Sequence, residues 1–179
     1  MRPAKDYIVF PLDVPSTAEA LGLVRRLGDA VGLFKVGQEL YVRGGPAVVD
    51  AIRQETGAGI FLDLKLHDIP QTVARAMAGV AALGVDLVTV HCGEDPRMLP
   101  AAVAAAGAAT RVLAVTVLTS VAQADFGGLG FDPREVPDLA RLVHRRAAAA
   151  RAAGCAGAVC SPREAAAVKA AAGAGFLVV

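Results

Sequence analysis

Two carboxylates, Asp63 and Asp68, flank Lys65 in the segment DLKLHD at positions 63–68. Because residues two apart in a β-strand face the same way, we expect the side chains of Asp63 and Lys65 to point into the same space. Nearby negative charge favours the protonated form of an amine. Lys65 is therefore expected to act as a positioned cation and proton donor, and not as the neutral amine that Schiff-base chemistry needs.

Polar side chains recur where the predicted strands end. They are Asp13, Lys35, Asp63, Lys65, His91, Thr119 and Ser161. In a barrel of parallel strands these ends share one face, where the active site forms. Each residue taken alone also has a structural interpretation. Asp68 and Gln71 fit a helix capping box, Asp63–Lys65 fits an exposed ion pair, and His91 fits a structural hydrogen-bonding residue.

The strands and helices that position these residues alternate along the chain. Strands are predicted at 7–13, 32–37, 59–65, 85–91, 111–118, 156–161 and 175–179. Helices are predicted from Ser16 or Thr17 to Leu27, within 45–56, and at 70–83, about 96–106, about 137–153 and about 162–172. This alternation favours a parallel α/β fold, either a (β/α)8 barrel or an open doubly wound sheet. A GxGxxG motif does not follow the first strand, which disfavours a dinucleotide-binding fold.

The composition narrows the class of protein. The chain has 179 residues, a net charge of +1 and 55% hydrophobic residues, many of them alanine. This charge is not typical of nucleic-acid or acidic-membrane binding. We expect a single cytoplasmic domain, because no apolar run reaches the roughly 18 residues of a membrane span and the N-terminus does not resemble a signal peptide. Three cysteines without CxxC spacing argue against a zinc site. The basic residues within 141–151 are interpreted as a solvated helix face.

The segment DLKLHDIPQT at 63–72 resembles the signature of the orotidine 5′-phosphate decarboxylase family, D-x-K-x-x-D followed by I-P-x-T. Further matches are PLD at 11–13, FKVG at 34–37, TVH at 89–91, VLTS at 117–120 and VCSPRE at 159–164. The resemblance implies a TIM-barrel lyase of pyrimidine biosynthesis that converts orotidine 5′-phosphate into uridine 5′-phosphate. It also implies a homodimer that needs no metal or other cofactor and binds neither nucleic acid nor membrane.

The resemblance assigns the catalytic residues by position. Lys65 would protonate C6 of the pyrimidine, Lys35 would hydrogen-bond the ribose and pair with Asp63, and Asp13 would bind the ribose or pyrimidine side of the substrate. Asp68 would complete the array Lys35–Asp63–Lys65–Asp68 from the neighbouring subunit. Fixed positive charge beside C6 would stabilise the carbanion as it develops.

The remaining matched positions are implied to bind substrate. Asp68, Ile69 and Thr72 would contribute to the site of the partner subunit across the dimer interface. Thr119 and Ser120 would flank the edge of the pyrimidine. The resemblance also implies a phosphate-binding loop and an eighth strand with its helix beyond Val179. Residues 1–179 are therefore expected to be one (β/α)8-barrel domain that is truncated at the C-terminus.

Two other hypotheses stay open at this point. A sister group, which includes 3-keto-L-gulonate 6-phosphate decarboxylase and hexulose phosphate synthase, shares the D-x-K-x-x-D core and acts on sugar phosphates with magnesium. Its second strand ends in an acidic metal ligand, where this chain has Lys35. A non-catalytic interaction protein on a degenerate barrel is the other alternative, and the intact set of charges argues against it.

Overall fold

Seven short strands pair side by side in the computed structural model, which describes residues 3–93, 95–132, 134, 136 and 138–179. They are β1 (Val9–Pro11), β2 (Leu33–Gly37), β3 (Gly59–Leu66), β4 (Leu87–His91), β5 (Arg111–Val115), β6 (Gly157–Val159) and β7 (Leu177–Val178). Every pair is parallel, and each strand pairs with its neighbours along the chain. An open doubly wound sheet reverses its strand order at a switch point. The consecutive order is therefore that of a (β/α)8 barrel, as predicted.

Within the described residues, seven α-helices connect the strands. They are α1 (Thr17–Leu27), α2 (Gln38–Gly44), α3 (Ala47–Glu55), α4 (Pro70–Ala82), α5 (Met98–Ala106), α6 (Leu139–Ala152) and α7 (Pro162–Ala172). Short 3-10 helices lie at Ala4–Tyr7, Gly28–Ala30 and Gln123–Asp125. No helix within the described residues is both long and apolar enough to cross a bilayer.

Local capping explains why several predicted helix ends agree with the structure. The Ser16 hydroxyl accepts a hydrogen bond from the backbone N–H of Glu19 at the start of α1. The Ser161 hydroxyl accepts one from Arg163 at the start of α7. Ser161 therefore caps a helix in this chain. Helix α6 begins at Leu139, and position 137, where we predicted its start, lies outside the described residues.

Helix α2 was not predicted from the sequence. Its seven residues form two turns and bury one side chain, Leu40. An apolar periodicity needs more than one buried position to be recognised, so no helix is predicted between Gly37 and position 45. The structure thus adds a helix immediately after β2, at the face of the barrel where the charged residues lie.

A layer of apolar side chains forms the floor beneath those charges. Phe61, Leu87 and Leu113 pack together with Val9, Leu33, Val159 and Leu177, so that each strand contributes one residue. Alternation along a strand places the residue two positions later on the same face. Lys35, Asp63 and Thr89 each follow a floor residue by two positions, on β2, β3 and β4 respectively. The charged site therefore lies directly above an apolar layer inside the barrel.

Alanine substitution of two glycines should have opposite effects on stability. A Cβ at Gly157 would lie 2.9 Å from Leu113 Cδ2 and closer still to the carbonyl oxygen and Cβ of Leu177. Gly157→Ala should therefore lower the free energy of unfolding by about 1–3 kcal/mol. A Cβ at Gly22, inside α1, would point into open space, with no atom of another element within 4 Å. Gly22→Ala should therefore raise the free energy of unfolding by about 0.5–1 kcal/mol. Urea unfolding measures both values, and a Gly157→Ala protein as stable as wild type would contradict the described β6–β7 packing.

Candidate active site

Four side chains of alternating charge are joined by ion pairs where β1, β2 and β3 end. Lys35 Nζ lies 3.0 Å from Asp13 Oδ1 and 3.6 Å from Asp63 Oδ2. Lys65 Nζ lies 2.9 Å from the same Asp63 oxygen. The structure therefore brings together four of the residues that the sequence singled out. We call these four residues, Asp13, Lys35, Asp63 and Lys65, the charge array.

Asp63 is the central member of the charge array. Its side chain is 13% exposed, and its second oxygen, Oδ1, accepts a 2.8 Å hydrogen bond from the Thr89 hydroxyl. Burial raises the pKa of the Asp63 carboxyl, but hydrogen bonds from Lys65 and Thr89 and the charges of Lys65 and Lys35 outweigh burial and lower it. Asp63 is therefore a carboxylate at neutral pH, and it holds the two ammonium groups on one side of the cavity.

The backbone at Lys65 departs from regular strand geometry. Its φ is +51°, and within the described part of the chain no other residue except glycine has a positive φ. Leu62 pairs with Val88 and Leu66 pairs with Val90, so β3 advances four residues while β4 advances two. This bulge breaks the simple alternation from which we predicted that Asp63 and Lys65 share a face. The predicted proximity is correct, but the bulge produces it, and a left-handed lysine costs about 1–2 kcal/mol.

Two polar side chains form hydrogen bonds to the backbone of this bulge, and neither was singled out in the sequence as a site residue. The Thr89 hydroxyl accepts a 2.9 Å hydrogen bond from the Lys65 backbone N–H. From the opposite side, the Gln38 amide on α2 donates a 2.8 Å hydrogen bond to the carbonyl oxygen of Leu64. Thr89 lies in the TVH segment, which was noticed only as a motif, and Gln38 belongs to the helix that was not predicted. Backbone groups freed by the bulge are thus satisfied by side chains.

The loop between β3 and α4 presents the next predicted residues on the surface. The carboxylate of Asp68 accepts a 2.6 Å hydrogen bond from the adjacent Ile69 N–H. Helix α4 begins with Ile69 at the N-cap position, without a side-chain cap. The alternative that Asp68 and Gln71 form a capping box is therefore wrong. Ile69 is 63% exposed, Thr72 is half-buried, and Asp68 is exposed without an ion pair to any described residue.

Thr119 and Ser120 lie in an exposed turn after β5. Thr119 lines a cavity of about 500 Å3 together with Val117 and Ser161. Within the described residues the structure shows no hydrogen bond from the side chain of Thr119 or Ser120 to the charge array. These two residues are thus near the same barrel face without contacting the groups that the ion pairs assemble.

His91 and Arg146 interact electrostatically with each other beside the charge array. The His91 and His67 rings lie with their centroids 5.5 Å apart. Burial lowers the pKa of His91, and electrostatic interactions with His67, Lys65 and Arg146 lower it further. Arg146 does not belong to the solvated basic face of its helix. It is half-buried and donates a 2.6 Å hydrogen bond to the carbonyl oxygen of Thr116, so that prediction is wrong for this residue.

The cysteines are separate from the charge array. Cys92, Cys155 and Cys160 are free and buried, and burial raises the pKa of the Cys155 thiol to about 12. A thiol with such a pKa is a poor nucleophile at neutral pH. Nowhere in the described ranges do three histidine, cysteine or acidic side chains converge as a metal-binding group. The charge array itself presents fixed ammonium and carboxylate groups.

Comparisons with known proteins agree on one family. Residues 6–179 match the family model described as orotidine 5′-phosphate decarboxylase / HUMPS family. A protein named orotidine 5′-phosphate decarboxylase from Desulfosudis oleivorans is 51% identical over 99% of this chain and 72% of its own length.

Solved structures give the same result for the fold. The crystal structure of orotidine 5′-phosphate decarboxylase from Lactobacillus acidophilus matches with a TM-score of 0.85 and 31% identity, over 96% of this chain and 78% of that one. An uncharacterized conserved protein from Geobacillus kaustophilus matches with a TM-score of 0.84 and 40% identity, over 95% and 80% of the two chains. The curled parallel sheet therefore has the architecture of these proteins.

The left-handed backbone at position 65 should be visible in stability measurements. Lys65→Gly and Lys65→Ala both remove the amine, but only glycine adopts a positive φ without a steric penalty. We expect Lys65→Gly to be more stable than Lys65→Ala by about 1 kcal/mol. Lys5, whose φ is not positive, provides the matched pair Lys5→Gly and Lys5→Ala. At this position we expect the alanine variant to be the more stable of the two. Chemical denaturation of the four variants measures the differences, and greater stability of alanine at both positions would contradict the described backbone.

Proposed function

The chain belongs to the orotidine 5′-phosphate decarboxylase / HUMPS family, and we propose that its charge array carries out decarboxylation with Lys65 as the proton donor. The reaction converts orotidine 5′-phosphate into uridine 5′-phosphate, a step of pyrimidine biosynthesis, in line with the names of its relatives. The observation that carries the proposed mechanism is the 2.9 Å ion pair between Lys65 and a largely buried Asp63.

The proposed reaction needs no group beyond the substrate and these side chains. The bond between C6 and the carboxylate breaks, carbon dioxide leaves, and the electron pair stays on C6. An ammonium group fixed beside C6 stabilises this charge where it develops. The Lys65 ammonium then transfers a proton to C6, and the neutral amine regains a proton from solvent.

Asp63 and Lys35 fix the position of this ammonium group. Asp63 is shared between both lysines, so movement of either amine away from it would remove an ion pair from a largely buried carboxylate. Lys35 is also paired with Asp13, which is exposed at the rim of the barrel. We assign Lys35 and Asp13 to the ribose side of the substrate, where an ammonium donor and a carboxylate acceptor suit hydroxyl groups. We further assign to Asp63 the role of crowding the carboxylate that leaves.

The magnesium-dependent sister group is the second candidate, because the family description includes it. At the end of β2 that group has an acidic metal ligand. Here Lys35 occupies this position, and its ammonium lies within 4 Å of both Asp13 and Asp63. A cation already fills the space between the carboxylates, which favours the metal-independent reaction. Turnover of orotidine 5′-phosphate that persists in EDTA is the expected result.

A shared active site is a further part of the proposal. Asp68 and Ile69 lie exposed in the loop that follows β3, Thr72 lies half-buried in the first turn of α4, and Ile69 exposes most of its side chain. An exposed isoleucine beside an exposed carboxylate suits burial against a second subunit. We assign Asp68 to the neighbouring site in a homodimer, and Thr119 and Ser120 to the pyrimidine edge. The free thiols suit a reducing cytoplasmic compartment.

Lys65→Ala should separate catalysis from binding. Because Lys65 acts on charge that appears in the transition state, its loss should lower kcat by about 10²–10⁴-fold or more. Binding of uridine 5′-phosphate should remain measurable by calorimetry. Lys5→Ala removes the same charge from the opposite end of the barrel and should leave both quantities unchanged. A Lys65→Ala enzyme with kcat within about tenfold of wild type would rule out Lys65 as the proton donor.

Mixed dimers test whether the site is shared. A hybrid of Lys65→Ala and Asp68→Ala chains would contain one site with both residues intact, so mixing should restore activity that neither variant has alone. Asp63→Ala mixed with Lys65→Ala is the matched control. These two residues contact each other within one chain, so that mixture should stay inactive. If mass spectrometry shows subunit exchange and the first mixture stays inactive, the assignment of Asp68 to the partner's site is wrong.

A further inference from the structure

Thr89 connects the two central groups of the charge array through a single hydroxyl. The side chain is fully buried on β4. Its Oγ1 donates a 2.8 Å hydrogen bond to Asp63 Oδ1 and accepts a 2.9 Å hydrogen bond from the Lys65 backbone N–H. One atom thus contacts both the carboxylate that holds the Lys65 ammonium and the backbone from which the Lys65 side chain extends.

The position of Thr89 in the sheet explains this double contact. Leu62 pairs with Val88 and Leu66 with Val90, so Thr89 lies opposite the bulged segment of β3. The bulge leaves the Lys65 N–H without a strand partner, and the hydroxyl takes the place of the missing carbonyl oxygen. A threonine side chain is also restricted in its rotation about χ1, so this hydroxyl is held in one direction.

The hydrogen bond from the hydroxyl fixes the orientation of the Asp63 carboxylate, so that one oxygen bonds Thr89 and the other faces the lysines. With Oδ1 bonded to Thr89, Oδ2 is left to contact both Lys65 and Lys35. We infer that Thr89 is a positioning residue of the reaction, because its hydroxyl fixes the Asp63 carboxylate and the Lys65 backbone in one arrangement. This inference rests on the proposed function, and it assigns to Thr89 a role in kcat rather than in substrate affinity.

Two other buried threonines show what a purely structural hydroxyl does in this fold. Thr110 donates a 2.8 Å hydrogen bond to the carbonyl oxygen of Val85, and Thr116 donates one of the same length to that of Val159. Each bonds a backbone carbonyl, and neither hydrogen bond involves the charge array. Thr110 lies before β5, at the end of the barrel opposite the array, so Thr110→Val is a matched control for the loss of a buried hydroxyl.

Steady-state kinetics of Thr89→Val, Thr89→Ser and Thr110→Val test the role of Thr89. Thr89→Val should lower kcat by about 100-fold, the effect of misplacing a reacting group by roughly 1 Å, with KM changed little. Thr89→Ser keeps the hydroxyl and should restore most of kcat. Thr110→Val should lose stability but keep kcat. Thr89→Ala removes the hydroxyl without placing a second methyl beside Asp63, and it gives the same test if Thr89→Val does not fold.

The pH dependence of kcat distinguishes a positioning role of Thr89 from a general loss of stability, which would leave this dependence unchanged. The Thr89 hydrogen bond is one of the causes that lower the pKa of Asp63. Its removal should move the acidic limb of the kcat profile towards neutral pH in Thr89→Val and leave the limb unchanged in Thr110→Val. Wild-type kcat in Thr89→Val, or an equal loss in Thr110→Val, would overturn the inference.

Spectroscopy separates this inference from the proposed function. The amide proton of Lys65 and the side-chain carboxyl carbon of Asp63 should both shift in the NMR spectra of Thr89→Val and not in those of Thr110→Val. These measurements need no turnover. A wild-type protein that does not decarboxylate orotidine 5′-phosphate would contradict the proposed function, whereas unchanged resonances in Thr89→Val would contradict the role of Thr89 alone.

Discussion

The carboxylate of Asp63 organises the site by dividing its two oxygens between different neighbours. Oδ2 faces the ammonium groups of Lys35 and Lys65, while Oδ1 receives the Thr89 hydroxyl. Two like charges converge on one oxygen, so removal of the carboxylate would leave the lysines repelling each other above an apolar floor. A buried charge of this kind is stable only when its partners are all in place. The positions of both lysines therefore depend on Asp63.

The apolar floor makes this arrangement effective. Phe61, Leu87 and Leu113 lie beneath the charge array, so apolar side chains exclude water from that side of it. Electrostatic interactions strengthen as water is excluded. Burial raises the pKa of the Asp63 carboxyl, whereas its hydrogen bonds and the charges of the neighbouring lysines lower it. The net effect is a lowered pKa. The fold thus supplies a preorganised set of charges. Charges that are already in place can stabilise a transition state without reorganising during the reaction.

The alternation of strand and helix periods predicted a parallel α/β fold, and the resemblance to the family selected the barrel from the two architectures that the periods left open. The sequence also predicted that Asp63 and Lys65 meet, although by regular alternation and not by the bulge that the structure contains. Thr89 and Gln38 were missed because a hydrogen bond to a distant backbone group produces no local pattern. The role of Asp68 in a second subunit depends on a surface between chains, and its exposure in one chain is compatible with that role.

The pairing of each strand with its chain neighbour also bears on how the protein is made. Every residue of the charge array, together with Thr89, lies within the first half of the chain, on or next to β1–β4. These four strands leave the ribosome in the order in which they pair, before β5–β7 are synthesised. The ion pairs of the charge array and the Thr89 hydrogen bond therefore involve only the part of the chain that is translated first, and their formation needs no residue of the later strands.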